Sequence, residues 1–320
     1  MQTKRDIQDL LSSAGVSPNR RLGQHFLVDL NVMRLLVDSA GIRPADVVLE
    51  IGAGTGSLTE ALAERAGQVV SVELDPTLAA IAGARLAGVA NVRLLHTDAL
   101  SGKGAVHPAV IEAVAQARQS LSRAGLTGPI APAGLVTGPI ADSAVRGRLL
   151  LVSNLPYDVA CPVMVNLVKG PLTADAMFVT VQKEVADRMA ASPGMREYGS
   201  LSIFLGATGM VKTVRILKPG IFWPPPQVDS AIVRHVRDEA SCRRIADMTL
   251  FGEVVGLFLG HRRKMLRACV KHAGPELADR AIWQRIFEQC EIDPTRRPEE
   301  LSPGQYVALA NAAYEHAARR

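Results

Sequence analysis

The chain has 320 residues, enough for two domains, and its 48% hydrophobic and 21% charged residues are the balance of a folded globular protein and exclude a wholly disordered one. No run of 18 apolar residues occurs, which excludes an apolar membrane-spanning helix. Thirty-six Lys and Arg against 31 Asp and Glu leave a net charge of +5, a hint of a polyanionic partner that proves nothing by itself.

The first residues carry no apolar export core, so the expected compartment is the cytoplasm. Cys161, Cys242, Cys269 and Cys290 lie far apart with no CxxC pair, so ordinary reduced thiols are expected, with no disulfide framework and no metal site.

In chain order, residues 4–13 read as a short helix with Ile7, Leu10 and Leu11 on one face, broken by Ser17-Pro18-Asn19. Residues 20–27 read as a loop, and 29–40 return to helical spacing before Gly41. Val47–Ile51 is a short apolar run that suits a buried parallel strand. A helix is predicted over 57–66, a strand over 69–73, a helix over 77–86 starting at Pro76, and a strand over 92–95. This alternation predicts a doubly wound α/β sheet.

Residues 101–148 interrupt the rhythm with a helix near 109–121 and a Gly/Pro-rich stretch in which Thr-Gly-Pro-Ile-Ala occurs at 127–131 and again at 137–141. They read as a surface insertion. The alternation resumes with strand 149–152, helix 162–168, strand 176–182, and helices 183–191 and 199–207. Residues 211–217 and 228–236 then read as two strands joined by a Pro-rich loop, a final antiparallel hairpin on a parallel sheet. Beyond about 238 the pattern is helical throughout. The expected domains are therefore 1–238, with an N-terminal arm over 1–28, and an all-helical 239–320.

Glu50-Ile51-Gly52-Ala53-Gly54-Thr55-Gly56 lies between a predicted strand and a predicted helix. Glycines there let the backbone turn sharply and approach a ligand closely. The G-x-G-x-G spacing differs from the dinucleotide fingerprint, and no phosphate-binding Lys-Ser/Thr follows. Glu73 ends the next strand, where a carboxylate can accept from both ribose hydroxyls of an adenosine ligand. Asp98 follows the third strand, where it can accept from an adenine amino group. Either acid alone could be a cap or a solvated charge. Three such features at consecutive strand ends of one sheet point to S-adenosylmethionine as cofactor.

Asn154-Leu155-Pro156-Tyr157 follows the fourth strand, beside the same cleft. An exocyclic adenine N6 is a poor nucleophile because its lone pair is delocalised into the ring. The Asn154 side-chain oxygen and the Leu155 carbonyl could accept its two N–H groups and hold it near tetrahedral geometry. Pro156 stiffens the turn and biases Leu155 toward an extended backbone. Tyr157 can stack on an extruded base, worth roughly 1–3 kcal/mol. No catalytic His is expected, since the N6 proton becomes acidic only as N6 bonds to carbon.

At this point the sequence resembles a known family. Arg21–Leu27, Glu50–Gly56, Glu73, Asp98, Asn154–Tyr157 and Phe222-Trp223-Pro224-Pro225-Pro226-Gln227-Val228-Asp229-Ser230 resemble the ribosomal RNA adenine dimethyltransferases, the KsgA/RsmA family, from about Arg20 to Val236. His261-Arg262-Arg263-Lys264-Met265-Leu266 resembles the family's basic helix.

The resemblance implies a Rossmann-like S-adenosylmethionine-dependent methyltransferase sheet with a terminal antiparallel strand, plus a small helical C-terminal domain. It implies dimethylation of N6 on two adjacent adenosines near the 3′ end of 16S rRNA of the small ribosomal subunit, during its maturation. Carried over position by position, His25, Leu27, Gly52, Gly54, Glu73, Asp98 and Asn154 contact the cofactor. Asn154, Leu155, Pro156, Tyr157 and Phe222 form the catalytic site, with Tyr157 and Phe222 sandwiching the target base. Arg20, Arg21, Arg262, Arg263 and Lys264 are the expected RNA contacts.

The family often has Asn where this chain has His25, and the connection between Asp98 and Asn154 is longer than usual. Nine Lys and Arg between Arg234 and Lys271 face only four Asp and Glu, the kind of excess a structured RNA needs. Phe251, Val254, Val255 and Phe258 are expected in the core rather than as an RNA platform. Nothing in the sequence demands more than a monomer. The alternatives are an Erm-type enzyme acting on large-subunit rRNA and a non-catalytic ribosome-assembly factor on the same fold.

Overall fold

A computed structural model describes residues 1–19, 23–102, 104–126, 147–274 and 280–318. The repeated Thr-Gly-Pro-Ile-Ala stretch lies outside the described residues, as do Arg20 and Arg21. The chain divides into two compact units, Met1–Lys183 with Thr213–Arg234, and Glu184–Lys212 with His235–Arg320. Residues 184–212, which precede the boundary read near 238, therefore group with the C-terminal helices.

Strands β1 (Phe26–Leu27), β2 (Val47–Ile51), β3 (Gln68–Glu73), β4 (Val92–His96), β5 (Leu149–Asn154) and β6 (Ala176–Gln182) lie in the first unit and are followed by β7 (Gly209–Leu217), β8 (Phe222–Trp223) and β9 (Ser230–Arg237), of which residues 209–212 and 235–237 fall in the second. Seven of them form one sheet in the order β4-β3-β2-β5-β6-β9-β7. The pairs β2–β3, β3–β4, β2–β5 and β5–β6 are parallel. Lys183 N–H donates to Asp229 O at 2.9 Å, so β9 starts where β6 ends and runs back antiparallel. Asp238 N–H donates to Thr208 O at 2.8 Å, which places the end of β9 at the start of β7.

The order reverses between β2 and β5. Open α/β sheets bind ligands in the crevice outside the carboxyl ends of their strands at such a reversal. At the opposite end of the same two strands, buried Asp46 accepts from Arg43 (3.1 Å) and from Arg148 (2.6 Å). Its Oδ1 also accepts the Arg148 N–H at 3.0 Å. This network ties the starts of β2 and β5 together and leaves their carboxyl ends to the site.

The strands read as continuous apolar runs because helices cover both faces. Helix α1 (Lys4–Ser13) is held by a capping box in which Thr3 and Asp6 exchange bonds. Helix α2 (Leu30–Ser39) packs Met33, Leu36 and Val37 into a core shared with Val48, Leu150 and Phe178. Helix α3 (Ser57–Ala63) starts at Gly56, and α4 (Pro76–Leu86) starts at Asp75, whose side chain caps Thr77 and Leu78 N–H with Pro76 in the first turn. Helices α5 (Pro108–Arg123) and α6 (Ala160–Lys169) complete the crossovers.

The sequence reads residues 20–27 as loop. The structure instead pairs Phe26 with Trp223 and Leu27 with Phe222, antiparallel, across almost two hundred residues. A two-residue ribbon has no periodicity of its own, so only the tertiary pairing reveals it.

The second unit is helical: α7 (Lys183–Ala190, all but its first residue), α8 (Ser200–Thr208), α9 (Glu239–Arg243), α10 (Met248–Leu259), α11 (Leu266–Cys269), α12 (Arg280–Gln289) and α13 (Pro303–Ala318). Phe251, Val254, Val255 and Phe258 are buried, as expected. Phe258 meets Trp283 edge-on at 5.3 Å, and Phe251 meets Phe204 edge-on at 5.4 Å, the favoured arrangement of aromatic quadrupoles. The Tyr198 hydroxyl donates to Leu301 O at 2.7 Å and the Tyr306 hydroxyl to Pro298 O at 3.0 Å, so both buried phenols are satisfied.

Candidate active site at the sheet reversal

A cavity of about 160 Å³ opens at the carboxyl ends of β2, β3 and β5 in the first unit. Its wall contains His25, Gly52, Gly54, Glu73, Asp98, Asn154, Leu155, Pro156 and Tyr157. These come from the N-terminal arm, the ends of β2, β3, β4 and β5 and the loop after β5, and parallel pairing is what brings the strand ends together.

The turn after β2 works only with glycine. Gly52, Gly54 and Gly56 have φ of +87°, +59° and +80°, where a Cβ strains the backbone. A Cβ at Gly52 would stand 3.1 Å from Pro156 Cγ, and one at Gly54 would stand 3.2 Å from the Phe26 ring. At these three positions the turn is thus bare of side chains.

Glu73 is buried at the end of β3. Its Oε2 accepts Gly54 N–H at 2.7 Å and its Oε1 accepts Asp75 N–H at 2.9 Å. Burial raises its pKa above the usual carboxylate range, and the two backbone donors partly offset that. Each oxygen keeps a lone pair for a further donor. Asp98 accepts Leu100 N–H on Oδ1 at 2.9 Å and is exposed at the cavity edge. Two carboxylates beside a bare glycine turn fit an adenosyl ligand: acceptors for ribose hydroxyls and an adenine amino group, and a floor that permits close approach.

Asn154 ends β5. Its Nδ2 donates to His25 O at 2.8 Å, and its Oδ1 accepts from the Thr180 hydroxyl at 2.6 Å. Tyr157 shares a 3.0 Å hydrogen bond with Ser230, and burial raises its phenol pKa. The His25 ring stacks on Tyr157 at 5.2 Å between centroids, and its Nδ1 donates to Pro224 O at 2.7 Å.

Two of the residues nominated from the sequence stand elsewhere. Phe222 is 3% exposed and packs with Val32, Met33 and Ile232 in the core, outside the cavity wall. Its pairing with Leu27 turns it inward. Leu27 is itself buried, and lines a smaller neighbouring cavity of about 50 Å³ with Glu50, Gly52, Gly54 and Asn154. In the helical unit, Arg262 donates to Glu299 at 3.0 Å and to Arg196 O at 3.4 Å. Arg263 and Lys264 are exposed, and Lys264 Nζ donates to His272 Nε2 at 3.2 Å.

Sequence reasoning missed Gln24, Thr97 and Asp158 in the cavity wall and Thr180 and Ser230 behind it. Gln24 donates to Asp75 Oδ2 at 3.1 Å, and thereby links the arm to the start of α4. A lone hydroxyl in the apolar run Phe178-Val179-Thr180-Val181 was the available signal for Thr180.

A mostly parallel sheet ending in strands that run back, with a glycine cradle and paired carboxylates at its reversal, defines a Rossmann-like methyltransferase. Residues 15–313 match the family model described as ribosomal RNA adenine dimethylase, and the chain belongs to that family. It is an enzyme, and its methyl donor is S-adenosylmethionine. A relative from Geobacillus sp. (strain WCH70), named ribosomal RNA small subunit methyltransferase A, is 34% identical over 306 residues, 95% of this chain and 94% of the relative. A protein of the same name from Bacillus mycoides (strain KBAB4) is 34% identical over 315 residues, 98% of this chain and 97% of its own.

Among solved structures, a dimethyladenosine transferase from Plasmodium falciparum superposes with a TM-score of 0.64 at 21% identity, covering 89% of this chain and 96% of that one. The 23S rRNA methyltransferase ErmE superposes with a TM-score of 0.55 at 21% identity, covering 90% and 99%. At that identity both show the fold alone.

Proposed function

We propose that the chain dimethylates N6 of two adjacent adenosines near the 3′ end of 16S rRNA, acting as a monomer on the small ribosomal subunit in the cytoplasm. The observation that carries the reading is that Asn154–Tyr157 share one cavity wall with Glu73, Asp98 and the glycine turn. Acceptors suited to an adenosyl ligand and acceptors suited to an adenine amino group thus face the same space. The curated relatives of this length named for the small subunit favour that substrate over large-subunit rRNA.

S-adenosylmethionine supplies a methyl carbon bound to a positively charged sulfur. Glu73 accepts from the ribose hydroxyls and Asp98 from the adenine amino group, while Gly52 and Gly54, with His25 and Leu27 of the arm, form the floor and flank. Asn154 Oδ1 and the Leu155 carbonyl accept the N–H groups of the target N6, which localises the nitrogen lone pair outward. Pro156 restrains that loop, and Tyr157 presents an aromatic face to the base. Positioning of this kind can supply on the order of 7–11 kcal/mol of a barrier in favourable cases. Phe222 enters the site only if the β1–β8 ribbon rearranges around a bound base. Arg20, Arg21, Arg262, Arg263 and Lys264 contact RNA phosphates.

The test is incubation of undermethylated small subunits and, in parallel, large subunits with labelled S-adenosylmethionine, with the modified nucleotides mapped by mass spectrometry. Label in two neighbouring dimethyladenosines of the small-subunit RNA is the expected result. Label confined to large-subunit RNA, or no label, overturns the proposal.

A further inference from the structure

The geometry points to Thr180 as a positioning residue for methyl transfer: its hydroxyl holds the Asn154 carboxamide in the direction that His25 O sets, so that an acceptor, not a donor, faces the target amine. The inference rests on the role given to Asn154 above.

Asn154 and Thr180 are partners in the parallel β5–β6 register, and that register places the two side chains within hydrogen-bonding distance at the carboxyl edge of the sheet. Thr180 is 1% exposed. It holds both residues of the Asn-Leu pair at once. Its side-chain oxygen donates to Asn154 Oδ1 at 2.6 Å, and its backbone carbonyl accepts the Leu155 N–H at 3.2 Å.

The direction of the Asn154 amide follows from its neighbours. His25 O can only accept, so the amide nitrogen must face it, at 2.8 Å. The oxygen then faces Thr180, whose hydroxyl donates. An Asn amide rotates in a broad, roughly two-fold well and has little preference of its own. Turned by half a rotation it would oppose two acceptors at His25 and present N–H to a target amine that offers only N–H. The Thr180 hydrogen bond occupies one lone pair of Oδ1 and leaves the other for the substrate. The branched Cβ of Thr180 restricts χ1, so the donor is itself held in place.

This arrangement predicts a defect in turnover and not in donor binding. Thr180→Val keeps the volume and removes the hydroxyl. Loss of one neutral hydrogen bond corresponds to about a fivefold fall in kcat, within a range of roughly 2- to 13-fold. Donor affinity and KM for RNA stay near wild type. Thr180→Ser restores kcat, because it keeps the donor.

The experiment measures single-turnover rates on undermethylated small subunits for wild type, T180V, T180S, N154A and N154A/T180V. Donor affinity by calorimetry and melting temperatures accompany the rates. If T180V does not fold, Thr180→Cys takes its place, since a thiol is similar in size and a weak donor. The expected result is a slower T180V, a rescued T180S, and a double variant no slower than N154A, since two residues acting through one amide are not additive.

A T180V rate within 1.5-fold of wild type overturns the inference. So does a double variant slower than N154A by the full T180V factor, for Thr180 would then act elsewhere. Full turnover by N154A would remove Asn154 itself from the mechanism. Loss in N154A with none in T180V would remove Thr180 alone.

Discussion

The imidazole of His25 lies over the ring of Tyr157, with centroids 5.2 Å apart and planes inclined by 29°. Because His25 also donates to Pro224 O, this stack joins the N-terminal arm, the loop after β5 and the Pro-rich loop before β9. One face of Tyr157 is thereby occupied, and a gap of 5.2 Å admits no base between the rings. If Tyr157 carries the target base as proposed, the base is expected on the remaining face or in place of the His25 ring.

Tyr157→Ala should accordingly reduce kcat/KM for the small subunit by roughly 5- to 150-fold, the equivalent of about 1–3 kcal/mol of base stacking. Tyr157→Phe keeps the face and loses the bond to Ser230, so its turnover should stay near wild type while stability falls by about 1 kcal/mol. Steady-state kinetics and urea denaturation on the two variants check this. Equal kinetic losses in both would show that the hydroxyl, not the face, matters.

Glu73→Ala removes a buried carboxylate that already orients the Gly54 and Asp75 N–H groups. Calorimetry should show donor affinity weakened by at least about tenfold, since each hydrogen bond to a charged group contributes about 1.5–3 kcal/mol. Unchanged affinity would refute the ribose assignment.

Two buried groups give opposite pH dependences of folding. Glu50 accepts from Thr59 and Ser71 at 2.6 Å on one oxygen, while its other oxygen has no hydrogen-bond partner. Burial pushes its pKa up from 4.5 to about 7. Between those values the folded state keeps a proton that the unfolded state has lost, so stability falls as pH rises, by on the order of 3 kcal/mol. Burial pushes His235 down from 6.5 to about 4. There the unfolded state holds the extra proton, so stability falls as pH drops through that window. Glu50→Gln, which mimics the protonated acid, should match wild type near pH 5 and be more stable at pH 8. Urea denaturation of the donor-free protein at both values checks it; a variant less stable at pH 8 would contradict the assignment.

RNA affinity should fall steeply with salt, because phosphate contacts release counterions. Replacing exposed Arg263 or Lys264 by Ala should lower the slope of log affinity against log salt by about 1 for each phosphate that is no longer neutralised. Filter binding at several salt concentrations measures this. A flat response, or an unchanged slope in both variants, would exclude the basic segment as a contact surface.

Local sequence pattern was enough to read most of the elements and to nominate the residues at the strand ends. The strands read over 47–51, 69–73 and 149–152 are mostly apolar because both faces of the sheet are covered, and that requirement is local enough to read from composition. Gly52, Gly54 and Gly56 were legible because a sharp turn with positive φ at alternate positions strongly favours glycine. Tertiary structure decided what stands opposite what. It paired Leu27 with Phe222 and so buried a residue that the motif places at the substrate, set His25 on Tyr157, and set Thr180 against Asn154. It also grouped residues 184–212 with the C-terminal helices. Periodicity records which face of an element is apolar, whereas these relationships depend on register and on contacts between segments far apart in the chain, which no local pattern encodes.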